Sequence, residues 1–152
     1  MTEHKNYWIY QQKFIIKPHY TDLLENYYSI IKYCNQIIFS NYKTLDKFLS
    51  KNNILNELNS NYYLESFFNQ PVDLSELLKL DSIIFSENFN NTIKLSDSLK
   101  YLKLGNKFNH QFQLNYQLMY LIFGQNFNQS IELNTQLIHL ELGMFFNQPI
   151  EL

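Results

Sequence analysis

One phrase recurs five times along the second half of this chain, at a spacing close to twenty residues. Each copy begins with Phe-Asn and places apolar residues four and six positions after the Phe. Successive copies are separated by 21, 19, 19 and 19 residues. A period near twenty predicts a solenoid, in which each repeat forms one coil and buries its apolar face only against neighbouring coils.

A second apolar pattern precedes each Phe, with the spacing L-x-x-L-x-L, as in Leu99, Leu102 and Leu104. This spacing resembles the strand segment of leucine-rich repeats, whose strands lie parallel along one face of the molecule. The predicted strands are centred near Ile9, Ile38, Tyr63, Ile84, Lys103, Ile122 and Glu141. The predicted fold class is therefore α/β to mainly β, a leucine-rich-repeat-like right-handed solenoid with one parallel sheet of about seven strands.

Residues 1–60 lack the repeated phrase. Two short apolar runs, 7–10 and 14–16, favour strands, and helical spacing begins at Thr21 and again at Thr44. Helices are therefore expected on the return path only in the N-terminal coils. We predict a single solenoid domain over residues 1–152, in which 61–152 form five coils. Residues 1–60 are either diverged coils or a separate cap, and the sequence leaves both open.

The repeated residues are predicted to hold the coils together. The Phe side chains should form a buried ladder, since each ring can contact the ring of the next coil. The Asn side chains should bond backbone groups at a bend and the equivalent Asn one coil away. Gly105, Gly124 and Gly143 are expected to supply positive φ at a sharp turn. The predicted ladder residues are Phe68, Phe89, Phe108, Phe127, Phe146, Asn69, Asn90, Asn109, Asn128 and Asn147.

Composition excludes several function classes. The formal net charge is −2 and the chain has no Arg, whereas a nucleic-acid surface needs clustered cations. The Lys residues are scattered, and no apolar run approaches the ~20 residues of a membrane span, so neither nucleic acid nor membrane is an expected partner. The lone Cys34 cannot form an internal disulfide, which favours a reducing, cytoplasmic location.

No pattern of catalytic or metal-ligating residues is found. The four His residues, His4, His19, His110 and His139, include no pair at i, i+3 or i+4 spacing. Nothing places a His base beside Cys34, which is better explained as a small core residue. We therefore predict no enzyme, no cofactor and no metal.

The outward residues of the predicted strands remain as a candidate binding surface. Exposed Tyr and Ile on a flat sheet are enriched in interfaces. Two alternatives stay open, because the chain's own N-terminal segment could cover this face or the apolar residues could simply be tolerated there. The predicted partner-binding face consists of Tyr63, Ile84, Tyr101, Lys103, Tyr120, Ile122, His139 and Glu141.

The phrase Phe-Asn-Gln-Pro-Ile after a Leu-x-Leu-Gly strand resembles the FNIP repeat, a relative of leucine-rich repeats found in social amoebae and in large DNA viruses of amoebae. Residues 146–150 and 68–72 carry the closest matches, the three middle coils lack the Pro, and the links after the Leu are shorter than is usual in the family. The resemblance implies a protein-binding solenoid. In family members joined to an F-box it implies a substrate receptor of a ubiquitin ligase, but residues 1–60 lack the expected three-helix pattern.

Three functional hypotheses follow. The leading one is a non-enzymatic interaction module that binds a protein partner through the exposed face of the parallel sheet. The second is a self-assembling repeat protein, a homodimer formed through the open edge of the last coil near Leu152. The third is a hydrolase or transferase, which would need a polar pocket that the sequence does not locate. The resemblance adds the ubiquitin-ligase receptor as a further alternative. The sequence does not identify the partner, the oligomeric state or whether the chain is complete.

Overall fold

In the part of the chain that the structure describes, one face is a sheet of eight strands, which we call the front sheet. The computed structural model of the protein describes residues 2–17, 20–39 and 67–151. In spatial order the front-sheet strands are β1 (Thr2–Glu3), β2 (Tyr7–Tyr10), β3 (Lys13–Ile16), β4 (Gln36–Phe39), β6 (Ser82–Ile84), β8 (Tyr101–Lys103), β9 (Tyr120–Ile122) and β11 (His139–Glu141). The pairings from β3 to β11 are all parallel, and the predicted solenoid fold class is confirmed.

The L-x-x-L-x-L spacing forms this sheet because alternate residues of a strand point to opposite faces. The central inward residues, Ile83, Leu102 and Leu121, are fully buried. Each is aligned with the next in parallel register, so consecutive coils superpose residue on residue. The inward residues therefore form a continuous core, whereas their neighbours in sequence face outward.

The N-terminal end of the front sheet differs from the prediction. The strand around Ile9 was expected to run parallel, but β1, β2 and β3 pair antiparallel, and the parallel part of the sheet begins at β3. A two-residue turn, Gln11-Gln12, reverses the chain because both residues adopt positive φ, 46° and 63°. Tyr63 and the strand predicted around it lie outside the described residues, and β4 pairs directly with β6.

The described helices lie between β3 and β4, on the return path, as predicted. A 3₁₀ helix spans Leu24–Tyr27 and α1 spans Tyr28–Ile31. Leu24 and Ile31 are buried, and the Tyr28 hydroxyl donates to the main-chain oxygen of Asp73. This contact joins the helical coil to the return side of the repeats. The helix predicted from Thr44 lies outside the described residues.

Short strands line the return side as two separate pairs. β5 (Val72–Asp73) pairs with β7 (Ile93–Lys94), and β10 (Ile131–Glu132) pairs with β12 (Ile150–Glu151), both in parallel. The sequence predicts a return strand in all five coils. Residues 112–114 do not form one, so the return sheet is interrupted between β7 and β10.

A column of Phe rings fills the centre of the coils. Phe68, Phe89, Phe108 and Phe127 are at most 1% exposed, and Phe146 is half-buried. Neighbouring ring centroids are 6.1, 5.9, 6.2 and 6.0 Å apart, and the ring planes are within 16° of parallel. Burial of each ring contributes on the order of 2–3 kcal/mol.

The glycines are required for a different reason from the one predicted. None of them has positive φ, so a left-handed turn is not involved. Instead each lies directly against the main chain of the preceding coil. A Cβ built on Gly105, Gly124 or Gly143 would lie 2.1, 2.3 or 2.0 Å from a carbonyl oxygen of that coil. Only glycine allows the coils to approach this closely.

Candidate binding surface

Two columns of outward side chains run across the front sheet at right angles to its strands. The first contains Ser82, Tyr101, Tyr120 and His139, which are aligned in register from β6 to β11. The second column is aligned in the same way and contains Ile84, Lys103, Ile122 and Glu141. The structure therefore brings together every residue of the predicted partner-binding face except Tyr63, which is outside the described residues.

Aromatic rings form a row in the first column. The ring centroids of Tyr101 and Tyr120 are 6.1 Å apart, and those of Tyr120 and His139 are 5.9 Å apart. Tyr101 is half-buried, whereas Tyr120 is 39% exposed. Tyrosines in such a row present apolar area together with a polar tip, a combination enriched where proteins bind one another.

Of the charged or ionisable side chains on this face, some have a partner of opposite charge and one does not. The His139 Nε2 atom lies 2.8 Å from Glu141 Oε1, and both side chains are exposed. Lys103 is exposed between the half-buried Ile84 and Ile122 and makes no ion pair with any described residue. Burial, with a smaller contribution from Glu141, raises the pKa of Tyr101. Tyr101 is therefore a neutral hydroxyl at physiological pH.

The outward columns continue onto the N-terminal hairpin, which the sequence analysis did not foresee. Trp8, Ile15 and Ile38 extend the second column beyond Ile84. Trp8 and Ile15 are nearly covered, at 9% and 2% exposure, and the Lys17 Nζ atom lies 4.2 Å from the Trp8 ring centroid. The two short apolar runs were the available signal, but only the antiparallel pairing places Trp8 beside Ile15.

The residues of the repeated phrase bond one another at the corners. The Oδ1 atoms of Asn69, Asn90, Asn109 and Asn128 each accept a main-chain N–H from the equivalent Asn of the next coil, at 2.8–3.0 Å. The phrase therefore connects coil to coil, and the front columns are the variable positions.

A second corner also has side chains that bond across coils, and the sequence analysis treated these residues only as polar links. The Asn134 Nδ2 atom donates to the main-chain oxygens of Asn115 and Leu118, at 2.6 and 3.1 Å. Asn115 bonds Ser96 and Leu99 in the same way one coil earlier.

The described residues include His, Asp and Glu side chains and one free cysteine, Cys34, as potential metal-ligating and nucleophilic groups. Among them, no three His, Cys, Asp or Glu side chains are placed to hold a metal ion. Cys34 is buried, and burial raises the pKa of its thiol, which disfavours the nucleophilic thiolate. Within the described ranges no helix is long and apolar enough to span a bilayer.

The repeats, the parallel front sheet and the stacked core define a leucine-rich-repeat-like β-solenoid. No family model and no curated protein matches the chain. Among solved structures it is similar to the crystal structure of CroV588, described as a novel circular LRR protein structure, with 20% identity and a TM-score of 0.37. The match covers 95% of this chain and 36% of that one, so this chain spans about a third of its length. At this level the likeness says nothing about activity or partner.

Proposed function

We propose that this protein is an FNIP-type repeat protein without catalytic activity, which binds a protein partner through the outward columns of its front sheet. The row Tyr101, Tyr120 and His139 carries the proposal. These side chains lie side by side on one open face, and the core packing and corner bonds of the coils are made by other residues. Solvent-facing aromatic rows are uncommon on surfaces that bind nothing.

The composition of this face supports a protein partner over other ligands. Half-buried Ile84 and Ile122 flank the exposed Lys103, so apolar area alternates with charge, as in the interfaces of transient complexes. A partner that presents a carboxylate between apolar side chains would satisfy this arrangement. The proposal also places the protein inside the cell, where the single described thiol, Cys34, stays reduced.

The hypothesis that this chain is a substrate receptor of a ubiquitin ligase has less support than the protein-binding proposal. An F-box would require three N-terminal helices. The described residues up to position 39 instead form three antiparallel strands, a short helical segment and one parallel strand. Self-association through the last coil stays a prediction, which light scattering over a concentration series checks.

Photocrosslinking from the front sheet tests the proposal. A photoreactive phenylalanine at position 120 should crosslink a partner from cell extract, and the Tyr101→Asp substitution in the same chain should abolish that product. Tyr116→Asp is the matched control, because Tyr116 is 71% exposed on a link outside the front sheet. The free energy of unfolding in urea should differ little between the chain with the photoreactive residue alone and the same chain carrying Tyr101→Asp or Tyr116→Asp. A product that survives Tyr101→Asp contradicts the proposed surface, and a product containing a second copy of this chain indicates self-association instead.

A further inference from the structure

Strand β11 lies at one edge of the front sheet, and its outer side carries free hydrogen-bonding groups. Among the described strands, β11 pairs only with β9. The His139 N–H donates to the Met119 oxygen and the Glu141 oxygen accepts the Phe123 N–H, so residues 139 and 141 direct their main-chain groups toward β9. Alternate residues of a parallel strand direct these groups to opposite sides. The N–H and C=O of Leu140 therefore point to the open edge.

Two further main-chain groups lie along the same edge. In earlier coils the carbonyl before the strand accepts an N–H of the next coil, as the Met119 oxygen does from Ile138 at 2.9 Å. The Ile138 oxygen is the equivalent acceptor in the coil of β11. After the strand, the Leu104 N–H donates to the Ile122 oxygen at 2.9 Å, and the Leu142 N–H is the equivalent donor. Neither group has a main-chain partner among the described residues.

The core side of β11 is less covered than that of the preceding strand. Leu121 is fully buried, whereas its equivalent Leu140 is only half-buried. Phe123 is likewise buried and its equivalent Leu142 is half-buried. Ile138, just before the strand, is 63% exposed. A strand added to this edge would cover apolar area as well as pair the free main-chain groups.

The side chains of β11 are self-complementary when two copies of the strand meet in antiparallel orientation. With Leu140 opposite Leu140 of a second copy, Ile138 lies opposite Leu142, and His139 lies opposite Glu141. The two-fold axis repeats both pairings. Residues directly opposite one another project from the same face of a sheet, with Cβ atoms about 4.5–5.5 Å apart. Apolar side chains therefore meet on the core side, and an imidazole meets a carboxylate twice on the outer side.

Other registers lack this match. A shift by one residue places core-facing side chains opposite outward ones. A shift by two places His139 opposite His139, or Glu141 opposite Glu141, so that the His–Glu pairing is lost. In the register centred on Leu140, each Leu140 N–H can donate to the Leu140 oxygen of the other copy, and each Leu142 N–H to the other Ile138 oxygen. All the free groups of the edge are then paired.

We propose that two copies of this chain associate through β11, with the two strands antiparallel and centred on Leu140. The front sheets of the two copies then form one continuous sheet, and the second copy places its Glu141 beside His139 of the candidate binding surface. Main-chain pairing at the edge holds the copies together, so the association does not depend on the partner proposed for the front columns. Because the interface is small, we expect a dissociation constant on the order of tens of micromolar.

Charge substitutions on two separate chains test the register. The His139 and Glu141 side chains are 42% and 57% exposed, so their replacement leaves the core intact. One variant carries His139→Lys with Glu141→Lys, and the other carries His139→Glu. Each variant alone places like charges opposite one another and should associate at least about tenfold more weakly than the unchanged chain in sedimentation velocity.

An equimolar mixture of the two variants should form a heterodimer about as tight as the dimer of the unchanged chain, since each lysine then meets a carboxylate of the other chain. The contact between His139 and Glu141 within one chain cannot produce this result, because neither variant contains both residues. Circular dichroism should show that both variants remain folded.

A matched pair of lysine substitutions tests the apolar contact. Ile138→Lys places a charge opposite Leu142 of the second copy and should weaken association at least about tenfold. Leu78→Lys is the control, because Leu78 is also exposed, at 71%, but precedes β6, three strands away from β11. It should leave association unchanged.

Three outcomes would overturn the proposal. If the unchanged chain stays monomeric throughout a concentration series that spans the expected dissociation constant, the edge does not hold a second copy. If the unchanged chain dimerises but the mixed charge variants do not, or if each variant dimerises alone as tightly as the unchanged chain, the copies meet through another surface or register.

Discussion

At the scale of single residues, the tightest constraint is the contact between Gly124 and the preceding coil. The Cα of Gly124 lies so close to the Gly105 carbonyl that a Cβ would stand 2.3 Å from its oxygen. The obstacle is main chain on both sides, so no flexible side chain can move to make room. The repeated glycine is therefore needed for adjacent coils to pack at this short distance.

Gly124→Ala should therefore be more damaging than its small volume suggests. Because the two coils must separate to admit the methyl group, we expect the free energy of unfolding to fall by at least about 2 kcal/mol. Urea denaturation followed by circular dichroism measures it. Gln125→Ala is the control, since Gln125 has an exposed side chain and its main-chain N–H still meets Asn106 Oδ1. Equal losses in the two variants would contradict the steric explanation.

Sequence patterns predicted which residues face the core, because apolar alternation follows directly from strand geometry. The patterns did not predict how completely each of these side chains is buried in the core. Phe112 and Ile131 are equivalent in an apolar pattern, yet Ile131 is buried in a strand and Phe112 is half-buried outside one. Likewise the regular spacing of the glycines is evident in the sequence. Its cause, the close contact between each glycine and the main chain of the preceding coil, is evident only in the stacked structure.

At the scale of elements, the hairpin formed by β2 and β3 closes the N-terminal end of the core. Its turn uses Gln11 and Gln12 at positive φ, where Asn and Gly are normally favoured. The strands were recognisable from their apolar runs. Their antiparallel pairing was not, because a Gln-Gln pair carries none of the usual hairpin signal.

Replacing the turn with Gln11→Asn and Gln12→Gly should stabilise the protein by about 1 kcal/mol, since a side chain in the left-handed region is strained. The main-chain bond from the Asn35 N–H to the Gln12 oxygen, 2.9 Å long, does not depend on the side chain and should persist. Thermal unfolding measures the change. Valine at both positions should destabilise instead, because β-branched residues disfavour positive φ. Stabilisation by valine would refute this account of the turn.

At the scale of the whole molecule, each coil contacts mainly the coils before and after it, as in other solenoids. The register Ser82, Tyr101, Tyr120 and His139 repeats every 19 residues. Stability should then be close to a sum over coils and the interfaces between them.

Removal of residues 106–124 should leave a folded protein. The deletion joins Gly105 to Gln125, so Gly105 takes the place of Gly124. Strand β8 then pairs with β11. Because about 19 residues of ordered chain are lost, the free energy of unfolding should fall by roughly 1–3 kcal/mol while unfolding remains cooperative. Circular dichroism and urea denaturation measure both. Deleting residues 106–115 removes half a coil and should abolish folding. If that chain folds as well, the coil is not the unit of stability.

The Asn ladder has a consequence for how such a protein changes over evolutionary time. Asn90, Asn109 and Asn128 connect each coil to the next through contacts that never involve the front columns. Mutations at Tyr101, Tyr120 or His139 can therefore accumulate without first endangering the scaffold. The surface of the front sheet and the stability of the stacked coils can therefore change independently of one another.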